Sequence, residues 1–168
     1  MVLLEEPDHP FVDPQPLASD AALKEAEKYY AEYMASASRF ITHARLDIEN
    51  EWNSLAAFHL HQAAENFYNA VLLVATLYTP KSHNLVRLRN AAEPIDGRLA
   101  AVWPTTTKFQ KRCFELLRAA YVKARYSEHY RVTDEELAWI LERLDVLQVV
   151  AQSICDHELA KHKHSSES

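Results

Sequence analysis

The chain has 168 residues, a net charge of −6 at pH 7 and 48% apolar side chains. This length suits one domain with a single core, and the acidic balance argues against a protein that binds nucleic acid through charge alone. Only one glycine, Gly97, is present. Since a sheet protein of this length needs more turn glycines, the composition predicts long helices joined by few turns.

The apolar pattern contains no membrane signal. The short apolar run at residues 2–4 lacks the preceding basic region of a signal peptide, and no run approaches the ~20 residues of a membrane span. Cys113 and Cys155 lie far apart in helical patterns, so we expect buried, reduced thiols. These features predict a soluble cytoplasmic protein without membrane contact.

The chain divides into three predicted segments. Residues 1–19 contain four prolines, which block helix formation and strand pairing alike, so this segment is predicted as a proline-rich arm or linker. Residues 20–160 form the predicted helical domain. Residues 161–168 end in serines and are predicted as a disordered tail.

Apolar residues at helical spacing predict two long helices in the first half of the domain. The first is capped by Ser19 or Asp20 and ends near residues 47–50. The second runs from about Trp52 to Leu77 and ends before a proline. Its apolar stripe is predicted to face the core: Leu60, Ala63, Ala64, Phe67, Val71 and Val74.

Three further helices are predicted in the second half. A short helix covers about Leu85 to Ala92, and after a loop the fourth helix takes its cap from residues 105–107. The fifth begins at a capping box formed by Thr133 and Glu136, a hydroxyl and a carboxylate three residues apart. The fold class is therefore all-α: an antiparallel bundle of about five helices, in which a four-helix up-and-down core carries one short helix.

A basic cluster at residues 108–131 is the first candidate for chemistry, with seven basic and two acidic side chains. Arg118, Tyr121 and Arg125 share one helical face, and His129 follows in the loop. Arginine binds phosphate well, and histidine exchanges protons near neutral pH. The pattern predicts phosphate binding or metal-independent RNA cleavage, although a solvated basic face with a loop histidine fits the same spacing.

His61 and Glu65 form a second candidate, because their spacing of four residues allows a hydrogen bond within one helix. The His-Glu-x-x-His pattern of a zinc site is absent, so a polar contact between helices fits better than a ligand role. His83, just before the third helix, is expected to cap or anchor that turn. We expect no metal site and no cofactor.

Four segments share the spacing of one known family: Ala57–Glu65, Tyr78–Leu85, Ala124–Tyr130 and Thr133–Leu137. In these segments the chain resembles a HEPN domain (higher eukaryotes and prokaryotes nucleotide-binding), and the similarity extends over about residues 21–160. The resemblance is closest to the HEPN half of bacterial proteins in which a nucleotidyltransferase domain comes first. The proline-rich arm lies where the linker of such proteins would be.

The resemblance implies a helical bundle that frequently forms homodimers, with either a ribonuclease site or a non-catalytic nucleotide site. The ribonucleases carry an arginine, four to six residues, then a histidine. Here only three residues separate Arg125 from His129, and Tyr126 replaces the usual polar residue. The predicted catalytic pair is therefore Arg125 and His129. The predicted nucleotide- or RNA-binding residues are Arg118, Tyr121, Arg125, Tyr126, His129, His61 and Glu65.

Three functions remain open from the sequence. The first is a nucleotide- or RNA-binding module, bacterial and working with a nucleotidyltransferase partner, with its groove between the second and fourth helices. The second is a toxin-like, metal-independent endoribonuclease using Arg125 and His129. The third is a purely protein-binding dimer of a toxin–antitoxin pair. The short spacing between Arg125 and His129 and the acidic net charge favour the first.

Overall fold

The computed structural model describes residues 19–167 and confirms the all-α fold class. The five α-helices are α1 (Ser19–Glu49), α2 (Asn53–Thr76), α3 (Leu85–Ala92), α4 (Lys108–Tyr126) and α5 (Asp134–Glu167). Two 3₁₀ helices, Glu93–Ile95 and Gly97–Val102, occupy part of the segment predicted as a loop. The predicted arm lies outside the described residues except for Ser19, which begins α1. Within the described range, no helix has both the length and the apolar character of a membrane span.

Helix α2 is the centre of the bundle and packs against α1, α3, α4 and α5. Its predicted apolar stripe is completely buried. Residues outside the stripe are buried too, including Tyr68, His61 and Glu65. A helix that is enclosed on most of its circumference gains stability from burial on several faces at once, and every polar group on it must find a partner inside the protein.

The predicted capping signals position α4 and α5. Thr107 accepts a hydrogen bond from the Gln110 backbone, and the Gln110 side chain bonds back to the Thr107 N–H. Thr133 and Glu136 form the same reciprocal pair at the start of α5. Glu136 also accepts a hydrogen bond from Nε of Arg112 at 2.6 Å. The second capping box therefore connects α5 to α4 through an ion pair.

Residues 161–167, within the segment predicted as a disordered tail, continue α5 as a helix. Leu159, one turn earlier, packs against the core. The Nε2 of His162 donates a hydrogen bond to the Val74 carbonyl near the end of α2, at 3.0 Å. These contacts give the last turns of α5 partners that the residue composition alone does not indicate. Cys113 and Cys155 are buried and unpaired, and burial raises the pKa of each thiol, to about 11 and about 12.

Trp103 and Tyr68 form a buried hydrogen bond that connects the 3₁₀ segment to α2. The indole Nε1 donates to the Tyr68 hydroxyl at 2.9 Å, and both side chains are almost completely buried. The Trp103 ring also packs against Phe114 of α4 and Trp139 of α5. Three helices and the connecting segment therefore meet at one aromatic group.

We expect Tyr68→Phe to lower the free energy of unfolding by about 1–3 kcal/mol, because the buried indole N–H would lose its acceptor. Urea denaturation at pH 7 measures this change. Tyr126→Phe is the matched control, since the Tyr126 side chain is 74% exposed and its loss of a hydroxyl should have little effect. Equal changes in the two variants would contradict a structural role for the buried bond.

Candidate functional site

Tyr121 of α4 is the centre of an aromatic group between α4 and α2. Its ring stacks on the imidazole of His83, with centroids 4.2 Å apart and planes 11° apart. Phe58 and His61 of α2 lie on the same ring, at 6.1 and 5.6 Å. Two of the predicted site residues, His61 and Tyr121, are thus in ring contact between the second and fourth helices, with His61 completely buried.

Arg125 lies beside this aromatic group and is held by its own helix. Its Nε and Nη2 donate hydrogen bonds to the Tyr121 carbonyl at 3.0 and 2.8 Å. The guanidinium carbon is 4.7 Å from the ring centroid of Phe58, 4.8 Å from that of Tyr121 and 5.0 Å from that of Tyr126. These cation–π contacts fix the guanidinium while one edge stays exposed to solvent.

His129 lies in different surroundings from Arg125. Helix α4 ends at Tyr126, and Ser127 has extended backbone angles (φ −106°, ψ 120°), which turn the chain away from the helical path. The His129 side chain is 89% exposed, and its nearest charged partner is Glu128 at 3.7 Å. Within residues 19–167, the contacts of Arg125 lead to Phe58, Tyr121 and Tyr126, and none of them joins it to His129.

His129 lines a surface cavity of about 420 Å³ along α4. The cavity wall is basic, since it includes Arg112, Arg118, Lys123 and Arg131 against one carboxylate, Glu115. The loop after α4 is held in place by Tyr130, whose hydroxyl donates a hydrogen bond to the Leu116 carbonyl at 2.7 Å. The basic cluster seen in the sequence is therefore partly gathered around one depression.

A second cavity, of about 380 Å³, shares Arg118, Ala119 and Lys123 with the first. Its other wall is formed by His83, Asn84, Tyr121 and Val122. We name the two cavities together the α4 basic surface: Arg118, Ala119 and Lys123 in the middle, His83 and Tyr121 on one side, and His129 and Arg131 on the other. The predicted residues Arg118, Tyr121 and His129 therefore lie on one surface with His83 of the α2–α3 loop.

The cations of the α4 basic surface differ in how far they are neutralised. Arg112 pairs with Glu136 at 2.6 Å, and Arg118 pairs with Glu115 at 2.8 Å. Arg131 donates only to the backbone carbonyls of Glu128 and Tyr130. Lys123 has no carboxylate within ion-pair distance in the described part of the chain. Lys123 and Arg131 thus keep a full positive charge available for a ligand.

His61 and Glu65 contact each other as their spacing predicts, with Nδ1 of His61 3.5 Å from Oε2 of Glu65. His61 is completely buried, and this burial lowers the pKa of its imidazole to about 4. Glu65 is 6% exposed, and burial raises the pKa of its carboxyl. Among the described residues, His61 Nε2 and Glu65 Oε2 have no hydrogen-bond partner. The pair carries a desolvation penalty that hydrogen bonds offset only in part.

His83 is the functional candidate that the sequence pattern missed. The predicted cap of α3 is supplied by Asn84, whose side chain accepts from the Arg87 N–H at 3.1 Å. His83 instead anchors the loop to α2, the other role that the sequence predicted for it, since its Nδ1 lies 2.9 Å from Oε1 of Glu65. Thr79 also joins the loop to α2, by a 2.7 Å hydrogen bond to Asn69. The spacing within the chain contains no signal for these contacts, because they depend on how the loop folds back.

The described residues contain no group of three or more His, Cys, Asp or Glu side chains placed to hold a metal ion. The HEPN domain profile matches residues 30–149, which is 120 of the 168 residues. The chain belongs to the HEPN domain family. A search of curated proteins found no match. HEPN domains have nucleotide- and RNA-related functions and commonly bind RNA or dimerise.

The low pKa of His61 makes the stability of this HEPN domain depend on pH. The unfolded imidazole takes up a proton below about pH 6.5, whereas the buried one does so only near pH 4, so stability is lost as pH falls through this window. The raised pKa of Glu65 acts in the opposite direction, since protonation relieves the cost of its buried charge.

We therefore expect His61→Gln to lose less stability than the wild type between pH 7 and pH 4, by up to about 3 kcal/mol. Urea denaturation at several pH values measures the stability of wild type and variant. Glu65 is present in both proteins, so its contribution largely cancels from their difference. His129→Gln removes an exposed histidine and should leave the wild-type pH dependence. The role of His61 is refuted if both variants behave alike.

Proposed function

We propose that this HEPN domain binds the phosphate groups of nucleotides, free or within single-stranded RNA, on the α4 basic surface. The observation that supports the proposal most directly is that two cavities share Arg118 and Lys123. A ligand that follows both cavities passes from His83 over these two cations to Arg131. Arginine and lysine at hydrogen-bonding distance from phosphate give the strong, charge-assisted contacts that such ligands need.

Phosphate binding on this surface depends on local charge, because the whole chain is acidic. Within residues 19–167, Lys123 and Arg131 form no ion pair with a carboxylate, and Arg118 is 42% exposed beside its partner Glu115. Residues outside this surface supply the negative excess. A local basic site on an acidic protein would direct a phosphorylated ligand to one face and repel it from the others.

Aromatic groups next to the cations favour an unpaired base over a duplex. The His83–Tyr121 stack forms the wall of one cavity. The Tyr126 ring is 74% exposed and lies beside the Arg125 guanidinium. Bases of single-stranded RNA stack on such rings, whereas bases in a duplex are not accessible to them.

The proposal extends to partners that the sequence predicts. A nucleotidyltransferase would supply or use a nucleotide bound on this surface, and a second copy of the chain would form the predicted homodimer. Both partners are predicted from the family resemblance alone, and so is the alternative role in a toxin–antitoxin pair. The exposed Val122 and Tyr126, 58% and 74% accessible on α4, lie at the edge of the site, where a partner could contact it.

Metal-independent RNA cleavage is the second candidate, and one observation favours keeping it. His129 shares its cavity with Arg118, Lys123 and Arg131, although not with Arg125. An exposed imidazole there could exchange a proton with the ribose 2′-hydroxyl, while Arg118 would stabilise the negative charge that develops on phosphorus. In this arrangement Arg125 supports the aromatic group, and Arg118 takes the role that the motif assigns to Arg125.

Fluorescence anisotropy with a labelled single-stranded 12-nucleotide RNA tests the binding proposal, and competition by AMP distinguishes RNA from a free nucleotide. We expect Lys123→Ala and Arg118→Ala each to weaken binding about 3- to 10-fold and to reduce its salt dependence. Arg125→Ala should weaken binding without unfolding the bundle. Arg45→Ala is the control, since Arg45 is about half exposed and pairs with Asp145 between α1 and α5. Equal losses for Arg45→Ala and Lys123→Ala would argue against this surface.

Incubation of the same RNA with the protein in EDTA separates cleavage from binding. If the domain is a ribonuclease, shorter products appear, and they are lost in His129→Ala while RNA retention persists. Binding without products in the wild type identifies a non-catalytic module. Products that persist in His129→Ala would rule out His129 as the acid–base residue.

A further inference from the structure

The His83 side chain separates two cavities of the molecule. On one side is the 380 Å³ cavity with Arg118 and Lys123. On the other is a cavity of about 310 Å³ between α1, α2 and the α2–α3 loop, whose polar lining includes Tyr33, Asn69 and Ser82. Glu65 contributes to this second cavity as well. An imidazole placed between a basic cavity and a buried carboxyl can contact a ligand on one edge and a proton acceptor on the other.

Two contacts fix the orientation of the His83 ring. One face stacks on Tyr121, and Nδ1 lies 2.9 Å from Oε1 of Glu65. The carboxyl is almost completely buried, whereas the imidazole side chain is 55% exposed. Because Nδ1 is engaged with Glu65 and the side chain is half exposed, Nε2 is the ring nitrogen that a ligand would contact. Carboxylate contacts of this kind determine which nitrogen carries the proton.

The chemistry of this pair suits phosphate. A carboxylate next to an imidazole stabilises the protonated ring, because the two opposite charges attract in a partly dehydrated position. A protonated ring carries an N–H at Nε2, which would donate a charge-assisted hydrogen bond to a phosphate oxygen. Arg118 and Lys123 line the same cavity and would contact the remaining oxygens.

We infer that His83 is a phosphate-binding residue of the α4 basic surface and that Glu65 is the positioning residue that orients its imidazole through Nδ1. The ligand class is a nucleotide phosphate, as a monoester or within an RNA strand. This inference rests on the proposed function. It adds a proton to the bound complex, so phosphate binding and protonation of His83 strengthen each other.

The charges around His83 explain why ligand and proton should be coupled. Arg118 and Lys123 repel a positive ring in the free protein, and Glu65 attracts it. A bound phosphate cancels the repulsion, so the ring takes up its proton more readily in the complex than in the free protein. The other titratable and charged groups near the ring are His61 of α2, Tyr121 and Arg125 of α4, Lys81 of the loop and Tyr33 of α1.

The test measures RNA affinity from pH 8 to pH 5.5 in a His129→Gln background, because His129 is a second histidine on the same surface. His61 does not interfere, since its pKa of about 4 lies below this range. We expect affinity for the labelled 12-nucleotide RNA to rise about 3- to 10-fold as pH falls. Adding His83→Gln should abolish this rise. Adding His83→Lys should give tight binding at pH 8 with no further rise.

Glu65→Gln tests the positioning role. Glutamine keeps an acceptor for Nδ1 but lacks the negative charge, so the rise in affinity should move to lower pH while the protein stays folded. His43→Gln, which removes an α1 histidine outside the site, should leave the pH profile unchanged. A melting curve for each variant confirms that it is folded before its binding is compared.

The outcomes separate this inference from the proposed function. RNA binding that depends on Lys123 but has the same pH profile with and without His83 overturns the inference alone. An unchanged profile in Glu65→Gln overturns the positioning role of Glu65. Failure of the wild type to bind RNA or AMP at any pH overturns both the inference and the proposed function.

Discussion

Enclosure of α2 by four other helices is the constraint on which the rest of the structure depends. Helix α2 supplies more of the buried apolar residues than any other described helix, and its neighbours leave no solvent path to His61. Glu65 must therefore find a partner inside the protein, and His83 supplies it. The loop carrying His83 is then held at the end of the α4 basic surface. In this way a desolvated carboxyl on the central helix determines where a candidate binding residue stands.

Much of the fold could be predicted from the sequence because the relevant signals are local. Thr133 and Glu136 are three residues apart, so their reciprocal hydrogen bonds follow from the helix geometry alone. The short helix Leu85–Ala92 has the predicted bounds. The stripe on α2 is buried because side chains three and four apart share a face. The HEPN resemblance draws on the same local patterns, and the domain profile confirms it.

The site was less predictable because its contacts cross long stretches of chain. His83 and Glu65 are 18 residues apart, and no spacing rule connects a loop to a helix face. Arg125 and His129 are four residues apart, but the helical rule stops applying at Ser127, where the backbone becomes extended. The last turns of α5 contact α2 through His162 and Val74, which are 88 residues apart. Each of these features is set by tertiary packing, which the periodicity of the sequence does not report.

The arrangement of charge on α4 explains how an acidic chain can present a basic site. Arg112 is committed to Glu136, where it connects α4 to α5, and Arg118 is partly neutralised by Glu115. Arg125 is occupied by its own helix and by Phe58. Lys123 and Arg131 form no ion pair with a carboxylate within the described chain, and they lie on the cavity walls. Because the other arginines are already paired, Lys123 and Arg131 are the cations on the cavity walls that a ligand can contact without breaking an ion pair among the described residues. The sequence motif predicts Arg125 and His129 as site residues, whereas the ion pairs of the folded chain favour Lys123 and Arg131.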